Sequence, residues 1–274
     1  MFLSIITINR NNAEGLKKTL DSVASQTCRD FEHIIIDGVS TDKSVDVIKD
    51  YVTSQMGENV TYWVSEPDSG VYNAMNKGIK KAKGEYCLFL NSGDWLFDAD
   101  IVKNEKDANH EEDFIKFDPL IVKENNKIET VKLPDFLSSM YFLLGHGLNH
   151  QNQLIKTHLL QETLYNENSK IFADNEFLIN SIIKNGSTYK HYSRSISYYE
   201  ASNGISSTQK GLLDMEQKEA LIRIFGKETF DEYQLYKKKL LLLQDYETGY
   251  LGILKKTRIV LNWIASKTTR RNYK

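Results

Sequence analysis

The feature that most constrains this chain is the order of its apolar runs. In the first third, short β-rich segments alternate with helical patterns: Phe2–Ile8 then Ala13–Ser25, Phe31–Asp37 then Asp42–Tyr51, Val60–Val64 then Val71–Lys83, and finally Tyr86–Leu90. Strand followed by helix, repeated, predicts a parallel sheet with helices on its faces. Ile34-Ile35-Ile36 and Leu88-Phe89-Leu90 show no period-two alternation, the pattern of strands covered on both sides, so they are expected at the centre. In open sheets of this kind ligands bind outside the carboxyl ends of the strands. The segments there are Asn9–Asn12, Asp37–Asp42, Ser65–Gly70 and Asn91–Asp94, all polar, three of them carrying carboxylates.

After residue 100 the rhythm changes. Phe114–Lys123 and Lys127–Lys132, around Asn125-Asn126, read as a hairpin, and Asp135–Leu144 as a helix. Gln153–Ile155 reads as a short strand, Asn175–Lys184 as a helix closed by Asn185-Gly186, and Ser187–Tyr192 with Ser195–Tyr199 as a second pair of strands. Residues 209–248 are almost continuously helical in pattern. All three prolines lie between residues 67 and 134 and no Gly/Ser-rich stretch occurs, so nothing marks an interdomain linker. The reading is one domain over residues 1–208, in halves 1–100 and 101–208, with a helical extension over 209–274.

Composition excludes several classes. With 35 Lys+Arg against 37 Asp+Glu, the chain lacks the strong positive field of a dedicated nucleic-acid binder, so no nucleic-acid partner is expected. Neither a signal-peptide pattern at Met1–Arg10 nor about 18 consecutive apolar residues is present, which predicts a cytoplasmic protein. Cys28 and Cys87 form no C-x-x-C and read as small buried hydrophobes. The net charge of −2 conceals an asymmetry: residues 250–274 hold seven basic and no acidic side chain, leaving −9 on the remainder. On a helix, Tyr250, Ile253, Leu254, Leu261 and Ile264 fall along one stripe with Trp263 beside it. Two occupants of that stripe stay open: an anionic membrane surface, giving peripheral contact at the inner face, or the protein itself, including a homodimer through the C-terminal helices.

Absent motifs narrow the chemistry. No G-x-G-x-x-G follows the first strand, and G-x-x-x-x-G-K-[ST], G-x-S-x-G and H-E-x-x-H do not occur, which argues against dinucleotide, P-loop, α/β-hydrolase and zincin chemistry. Acidic residues at strand ends remain, and carboxylates can hold Mg²⁺ or Mn²⁺ that in turn holds a diphosphate.

At these segments the N-terminal half resembles the family 2 type of inverting glycosyltransferase, in particular its bacterial surface-polysaccharide branch. The resemblance lies in Ser4-Ile5-Ile6-Thr7, in Ile34-Ile35-Ile36-Asp37-Gly38-Val39-Ser40-Thr41-Asp42, in the block from Ser65 to Ile79, in Ala82–Tyr86, and in Leu90-Asn91-Ser92-Gly93-Asp94. It implies an α/β fold of the GT-A type, a single nucleotide-binding, Rossmann-like domain with a mostly parallel central sheet, plus C-terminal helices. Carried over by position, it places Thr7, Asn9 and Asp37 at the base and ribose of a nucleotide-sugar donor, and Asp68 and Asn76 near the nucleotide. Asp42 fits a helix N-cap better, and Asp68 fits a turn equally well. Asn91, Ser92 and Asp94 fall where the family carries its D-x-D motif, with Asp94 as the ligand to Mg²⁺ or Mn²⁺ and Asn91 replacing the first carboxylate. Asn73 is a second departure, standing where the branch has Asp.

The distal half carries a looser resemblance. Asp174, in Phe172-Ala173-Asp174-Asn175-Glu176-Phe177, matches the general base beneath the acceptor, with an N-cap role for Asp174 or a base role for Glu176 as the alternatives. His150-Gln151 matches a pair ahead of a short strand, and Ser202–Ser206 a loop over the donor. The implied reaction moves a sugar, most often from a UDP-sugar, to a saccharide or lipid-linked saccharide acceptor, for surface polysaccharide. Two rivals remain. A sugar-phosphate nucleotidyltransferase would show a Gly-rich basic loop where Asn9-Arg10-Asn11-Asn12 stands, and a non-catalytic glycan- or partner-binding scaffold is suggested by Asn73 and Asn91.

Overall fold

The computed structural model describes residues 1–123, 127–148, 150–200 and 209–241. The alternation seen in the sequence becomes β1 (Leu3–Asn9), α1 (Ala13–Ala24), β2 (Phe31–Asp37), α2 (Ser44–Thr53), β3 (Val60–Ser65), α3 (Val71–Ile79) and β4 (Tyr86–Phe89). β1, β2 and β4 are buried along their whole length, as their unalternating apolar runs predict, while β3 is half-buried at the sheet edge. The four pair in parallel, with Asn9 opposite Asp37 and Asp37 opposite Ser65, so three polar side chains form a rank at the carboxyl ends. α1 covers one face through Leu16, Leu20 and Val23, the 3.6-residue spacing of a buried stripe; Leu16 and Leu20 pack on Ile35, Ile48 and Tyr51. Each such side chain contributes roughly 1.5–3 kcal/mol by leaving water.

β5 (Trp95–Leu96) and α4 (Ile101–Asp107) precede the distal part, where β6 (Phe114–Phe117), β7 (Leu120–Val122) and β8 (Ile128–Thr130) follow. The hairpin read from the sequence is present as β7 paired antiparallel with β8, but its first strand is split. Asp118-Pro119 interrupts it, since proline supplies no N–H to a ladder. β6 stays in the large sheet and β7 starts a second, four-stranded one. Only Ser139–Leu143 of the Asp135–Leu144 run is helical (α5), opened by the Ser138 hydroxyl accepting from the Tyr141 N–H. β9 (Gln153–Lys156), α6 (Thr157–Glu162), α7 (Ala173–Ile179), β10 (Tyr189–Tyr192) and β11 (Ser197–Glu200) complete the order. β10 and β11, expected as a pair, lie in different sheets. β10 runs parallel to β6 on the large sheet and β11 lies between β5 and β7 on the small one.

The seven-stranded sheet has the order β10-β6-β9-β4-β1-β2-β3, mostly parallel, with β9 antiparallel to both neighbours. α8 (Lys210–Phe225) ends at Gly226, whose φ of +86° suits glycine. The chain divides into two compact units, Met1–Ile224 and Phe225–Lys274, and almost all of α8 falls in the first. The second unit contributes a helix over residues 227–241. The apolar stripe with basic surroundings expected over residues 250–274, and the Ser202–Ser206 segment, lie outside the described residues.

Candidate active site

The four strand-end segments gather as the topology requires. The turn Asn91–Asp94 after β4 is shaped by Gly93, at φ +105°, and held from α1. The Thr19 hydroxyl accepts from the Gly93 N–H at 3.0 Å and lies 2.7 Å from the Asp94 carbonyl. Asn12 donates to the Ser92 carbonyl at 3.0 Å. The turn borders a cavity of about 780 Å³, large enough for a cofactor-sized ligand. Asn91, Ser92 and Asp94 line it together with Asp174, His150 and Gln151, and its rim carries Arg10 and Lys170.

Asp94 is 4% exposed. Its Oδ1 accepts the Glu200 N–H at 3.1 Å, and its Oδ2 has no hydrogen-bond partner among the described residues. Burial pushes the Asp94 carboxyl up to about 8, against the pull of the Glu200 and Asn91 N–H groups and the Gln151 side chain, and with the Glu200 charge adding to the rise. Asn91 Oδ1 and Gln151 Oε1, on the same cavity, likewise have no partner there. Among the described residues no group of three or more His, Cys, Asp or Glu could form a protein cage for a metal. One orphaned carboxylate oxygen on a cavity fits a hard cation that takes its remaining ligands from phosphate and water.

Asp174, in the first turn of α7, is equally buried and behaves in the opposite way. Burial alone would raise its carboxyl, but the hydrogen bonds and charge of His150 with the bonds from Tyr72 and Asn175 prevail and hold it below the usual carboxylate range. Oδ1 takes three donors: the Tyr72 hydroxyl at 2.9 Å, the Asn175 N–H at 2.8 Å and the Asn175 amide at 3.3 Å. Oδ2 takes one, His150 Nδ1 at 2.9 Å, and so keeps room to accept another. His150 Nε2 lies 2.9 Å from Asn91 Nδ2. One imidazole thus bridges the donor-side turn and the carboxylate of α7.

The other five residues singled out by resemblance are placed differently; none lines the cavity. Thr7 is fully buried, its hydroxyl 2.9 Å from His33 Nε2 and donating to the Leu90 carbonyl at 2.8 Å. Asp37 is also fully buried, and each of its oxygens takes two donors: Asn9 and the Ser40 hydroxyl on Oδ1, the Ser40 N–H and Ser65 hydroxyl on Oδ2. Burial would raise this carboxyl, but these bonds prevail and lower it. They also hold Val39 at φ +57°, a costly conformation for a β-branched residue, and seat Ser40 where it accepts the Asn11 N–H. Asn9 and Asp37 thus act from beneath the Arg10–Asn12 rim. Asp68 accepts the Gly70 N–H and sits 3.8 Å from Arg10, packed so close to Gly38 that a Cβ there would lie 2.2 Å from its Oδ2. Asn76 clamps the 165–167 segment, bonded to the Tyr165 carbonyl, the Tyr165 N–H and Glu167. Asn73 also donates to Glu167, which gives that departure from the family pattern a structural partner. Asp42 accepts from the Ser44 and Ala13 N–H groups, holding the turn into α2 from one residue before its N-cap, Lys43.

Sequence reasoning missed Tyr72, the bridging geometry of His150, and the wall formed by Leu213, Asp214 and Gln217 of α8. The first two signals were visible as a Tyr in the α3 motif and a His-Gln pair. The α8 wall had none, because a helix of low amphipathicity shows no functional face.

Residues 4–133 match the family model described as Glycosyl transferase family 2. Over those residues the chain is similar to that family. Among curated relatives, it is 36% identical over 125 residues to a PGL/p-HBAD biosynthesis glycosyltransferase of Mycobacterium bovis, covering 45% of this chain and 48% of that one. It is 42% identical over 107 residues to an uncharacterized glycosyltransferase of Mycobacterium tuberculosis, covering 39% of each. The chain thus spans about half or less of the curated relatives it matches. Among solved structures, S. aureus TarS 1-349 in complex with UDP-GlcNAc aligns over 81% of this chain and 67% of its own, at a TM-score of 0.60 and 18% identity. The mannosyltransferase PcManGT from Pyrobaculum calidifontis, in complex with GDP-Man and Mn²⁺, aligns over 90% and 82%, at 0.57 and 14%. The large, mostly parallel sheet is the α/β arrangement of GT-A glycosyltransferases. No helix among the described residues is long and apolar enough to cross a membrane.

Proposed function

We propose that this glycosyltransferase moves a sugar, with inversion, from a UDP-sugar to a hydroxyl of a saccharide or lipid-linked saccharide acceptor in surface polysaccharide synthesis. One observation carries the reading: a single cavity presents both a buried carboxyl with an orphaned oxygen, Asp94, and an ionised carboxylate with spare acceptor capacity, Asp174. Inverting transfer is a single in-line displacement and needs one proton acceptor, which is what Asp174 offers. UDP is favoured as the nucleotide because TarS, which shares the fold, is described with UDP and with UDP-GlcNAc.

In this reading Asp94 holds Mg²⁺ or Mn²⁺, which when bound neutralises charge on the leaving diphosphate. Arg10 and Lys170 on the rim meet the phosphates, and Asn91 and Ser92 face the donor. Asn9, Asp37 and Asp68 fix the shape of the nucleoside side by holding Ser40, Gly38 and Arg10, while Thr7 and Asn76 hold the sheet and the 165–167 segment. Tyr72 and His150 orient Asp174 so that its Oδ2 takes the hydroxyl proton as the new bond forms. The seven basic residues and the apolar side chains of residues 250–274 bring the enzyme to an anionic membrane surface bearing the acceptor, and liposome co-sedimentation with and without residues 250–274 measures that contact.

The test is a thermal-shift series with UDP, GDP and dTDP, each with and without Mn²⁺, followed by hydrolysis of the matching sugar nucleotides. A ligand that binds only the folded state raises Tm. The expected result is a Mn²⁺-dependent rise with UDP and slow release of UDP from a UDP-sugar. A protein that neither binds nor hydrolyses any of the series contradicts the proposal.

A further inference from the structure

α8 lies outside the family-matched residues, yet its Glu216 takes four donors from the segment that precedes α7. Glu216 Oε1 accepts the Lys170 N–H at 2.8 Å. Its Oε2 accepts the Ser169 hydroxyl at 2.5 Å, the Ile171 N–H at 2.9 Å and the Phe172 N–H at 3.2 Å. A single carboxylate therefore gathers three consecutive backbone N–H groups and a hydroxyl. Burial would raise this carboxyl, but the Ser169 hydroxyl and the three N–H groups prevail and hold it below the usual range, so the charged form fits the loop.

The loop held this way is the one that leads to Asp174. Lys170, Ile171 and Phe172 line the cavity, and Phe172 directly precedes α7 without supplying any side-chain cap of its own. Glu216 shares the Phe172 N–H with the local Ser169 hydroxyl, which accepts it at 3.1 Å, and takes the Lys170 and Ile171 N–H groups from a distant helix. Two turns on, Arg223 of the same helix grips Glu176 of α7 at 2.9 Å, and Gln217 donates to the Gly145 carbonyl across the cavity mouth at 3.1 Å. α8 thus ties the two sides of the distal wall.

We infer that Glu216 is a positioning residue for Asp174: it fixes residues 169–172 and thereby aims the α7 carboxylate at the reacting hydroxyl, coupling α8 to turnover without touching substrate. This inference rests on the glycosyl-transfer reading, and the experiment separates the two. Asp174 already spends Oδ1 on three internal donors and one direction of Oδ2 on His150, so its remaining acceptor direction is set by the backbone that carries it, and a displacement of about 1 Å can cost on the order of 100-fold in rate.

Full-length wild type, Glu216→Ala, Glu216→Gln and Arg223→Ala are compared by amide hydrogen exchange, by UDP affinity with Mn²⁺, and by hydrolysis of the UDP-sugar that wild type turns over. Arg223→Ala loosens α8 without freeing the 169–172 loop. Expected for Glu216→Ala are exchange at Lys170, Ile171 and Phe172 faster by at least tenfold, kcat lower by at least tenfold, and UDP affinity and KM within about threefold of wild type. Glu216→Gln, which keeps one acceptor oxygen, falls between, and Arg223→Ala keeps kcat within about threefold. Unchanged exchange at residues 170–172 overturns the inference, as does raised exchange with wild-type kcat, or equal loss of kcat in Arg223→Ala. A wild type inert toward every sugar nucleotide contradicts the glycosyl-transfer reading, while the exchange data still decide whether Glu216 holds the loop.

Discussion

Removing the charge of Asp94 should change how stability depends on pH, by an amount that follows from its burial. In the metal-free protein burial raises this carboxyl from 3.8 to about 8. At about 1.4 kcal/mol per tenfold, ionising it in the folded state costs roughly 6 kcal/mol more than in the unfolded chain. A group whose folded value is raised lends stability that is full below the unfolded value and is lost as pH climbs through the folded one, here from 3.8 to about 8. Two buried groups run the other way. His33 is lowered by burial to about 3, so its penalty fades as pH rises toward 6.5. Lys116 is lowered by burial to about 7, against the pull of Asp174, so its penalty fades from about 7 toward 10.5. The observable is therefore a difference, wild type against Asp94→Asn, which cancels both. In EDTA, wild type should lose about 1.4 kcal/mol per pH unit relative to the variant between pH 5 and 8, about 4 kcal/mol in all, or on the order of 10 °C in Tm. Mn²⁺ at pH 8 should restore wild type and leave the variant unmoved. A wild-type-minus-variant gap constant to within about 0.5 kcal/mol over that range would show that Asp94 titrates as an ordinary exposed carboxylate, and the orphaned-oxygen argument would fail.

Other side chains carry sharper functional or structural signatures. Asp174→Asn should lower kcat for sugar-nucleotide hydrolysis by about 10²–10⁴ while UDP affinity stays within about threefold; equal weakening of both assigns Asp174 to donor binding. Thr7→Val leaves His33 and the Leu90 carbonyl without a buried partner and should cost about 1–3 kcal/mol in urea unfolding with UDP affinity unchanged; weakened UDP binding in a fully folded variant would return Thr7 to the donor site. Asn76→Ala removes three bonds to residues 165–167 and should destabilise by about 2–4 kcal/mol, and a change under 0.5 kcal/mol would refute the clamp.

β1, β2 and β4 were legible because burial on both faces leaves apolar runs, the half-buried edge strand β3 because Val60–Val64 is rich in β-branched and aromatic residues, and β2 matches its sequence bounds to the residue. The distal half was harder to read. Pro119 divides one apolar run between two sheets, and β10 and β11 sit close in sequence but choose separate partners far along the chain. Pairings of that kind depend on which edges are open, a tertiary property that local pattern does not encode. Within the site, Asn91, Ser92, Asp94 and Asp174 do share one cavity. Thr7, Asp37 and Asn76 sit at motif positions but face protein partners, because motif matching locates a backbone position and not the direction of its side chain. Asp37 shows this best, since the four donors that fill its oxygens come from three separate segments, Asn9, Ser40 and Ser65. Glu216 was invisible for a related reason: its partners are backbone N–H groups, which every residue but proline supplies.

The most direct test of the account is the anomeric configuration of the sugar released when the protein, with Mn²⁺, hydrolyses an α-linked UDP-sugar in an NMR tube. In-line displacement assisted by Asp174 predicts that the β-anomer appears first, that mutarotation then mixes it, and that Asp174→Asn slows its appearance at least 100-fold. First appearance of the α-anomer, or a rate indifferent to Asp174→Asn, would contradict the single displacement at the centre of this account.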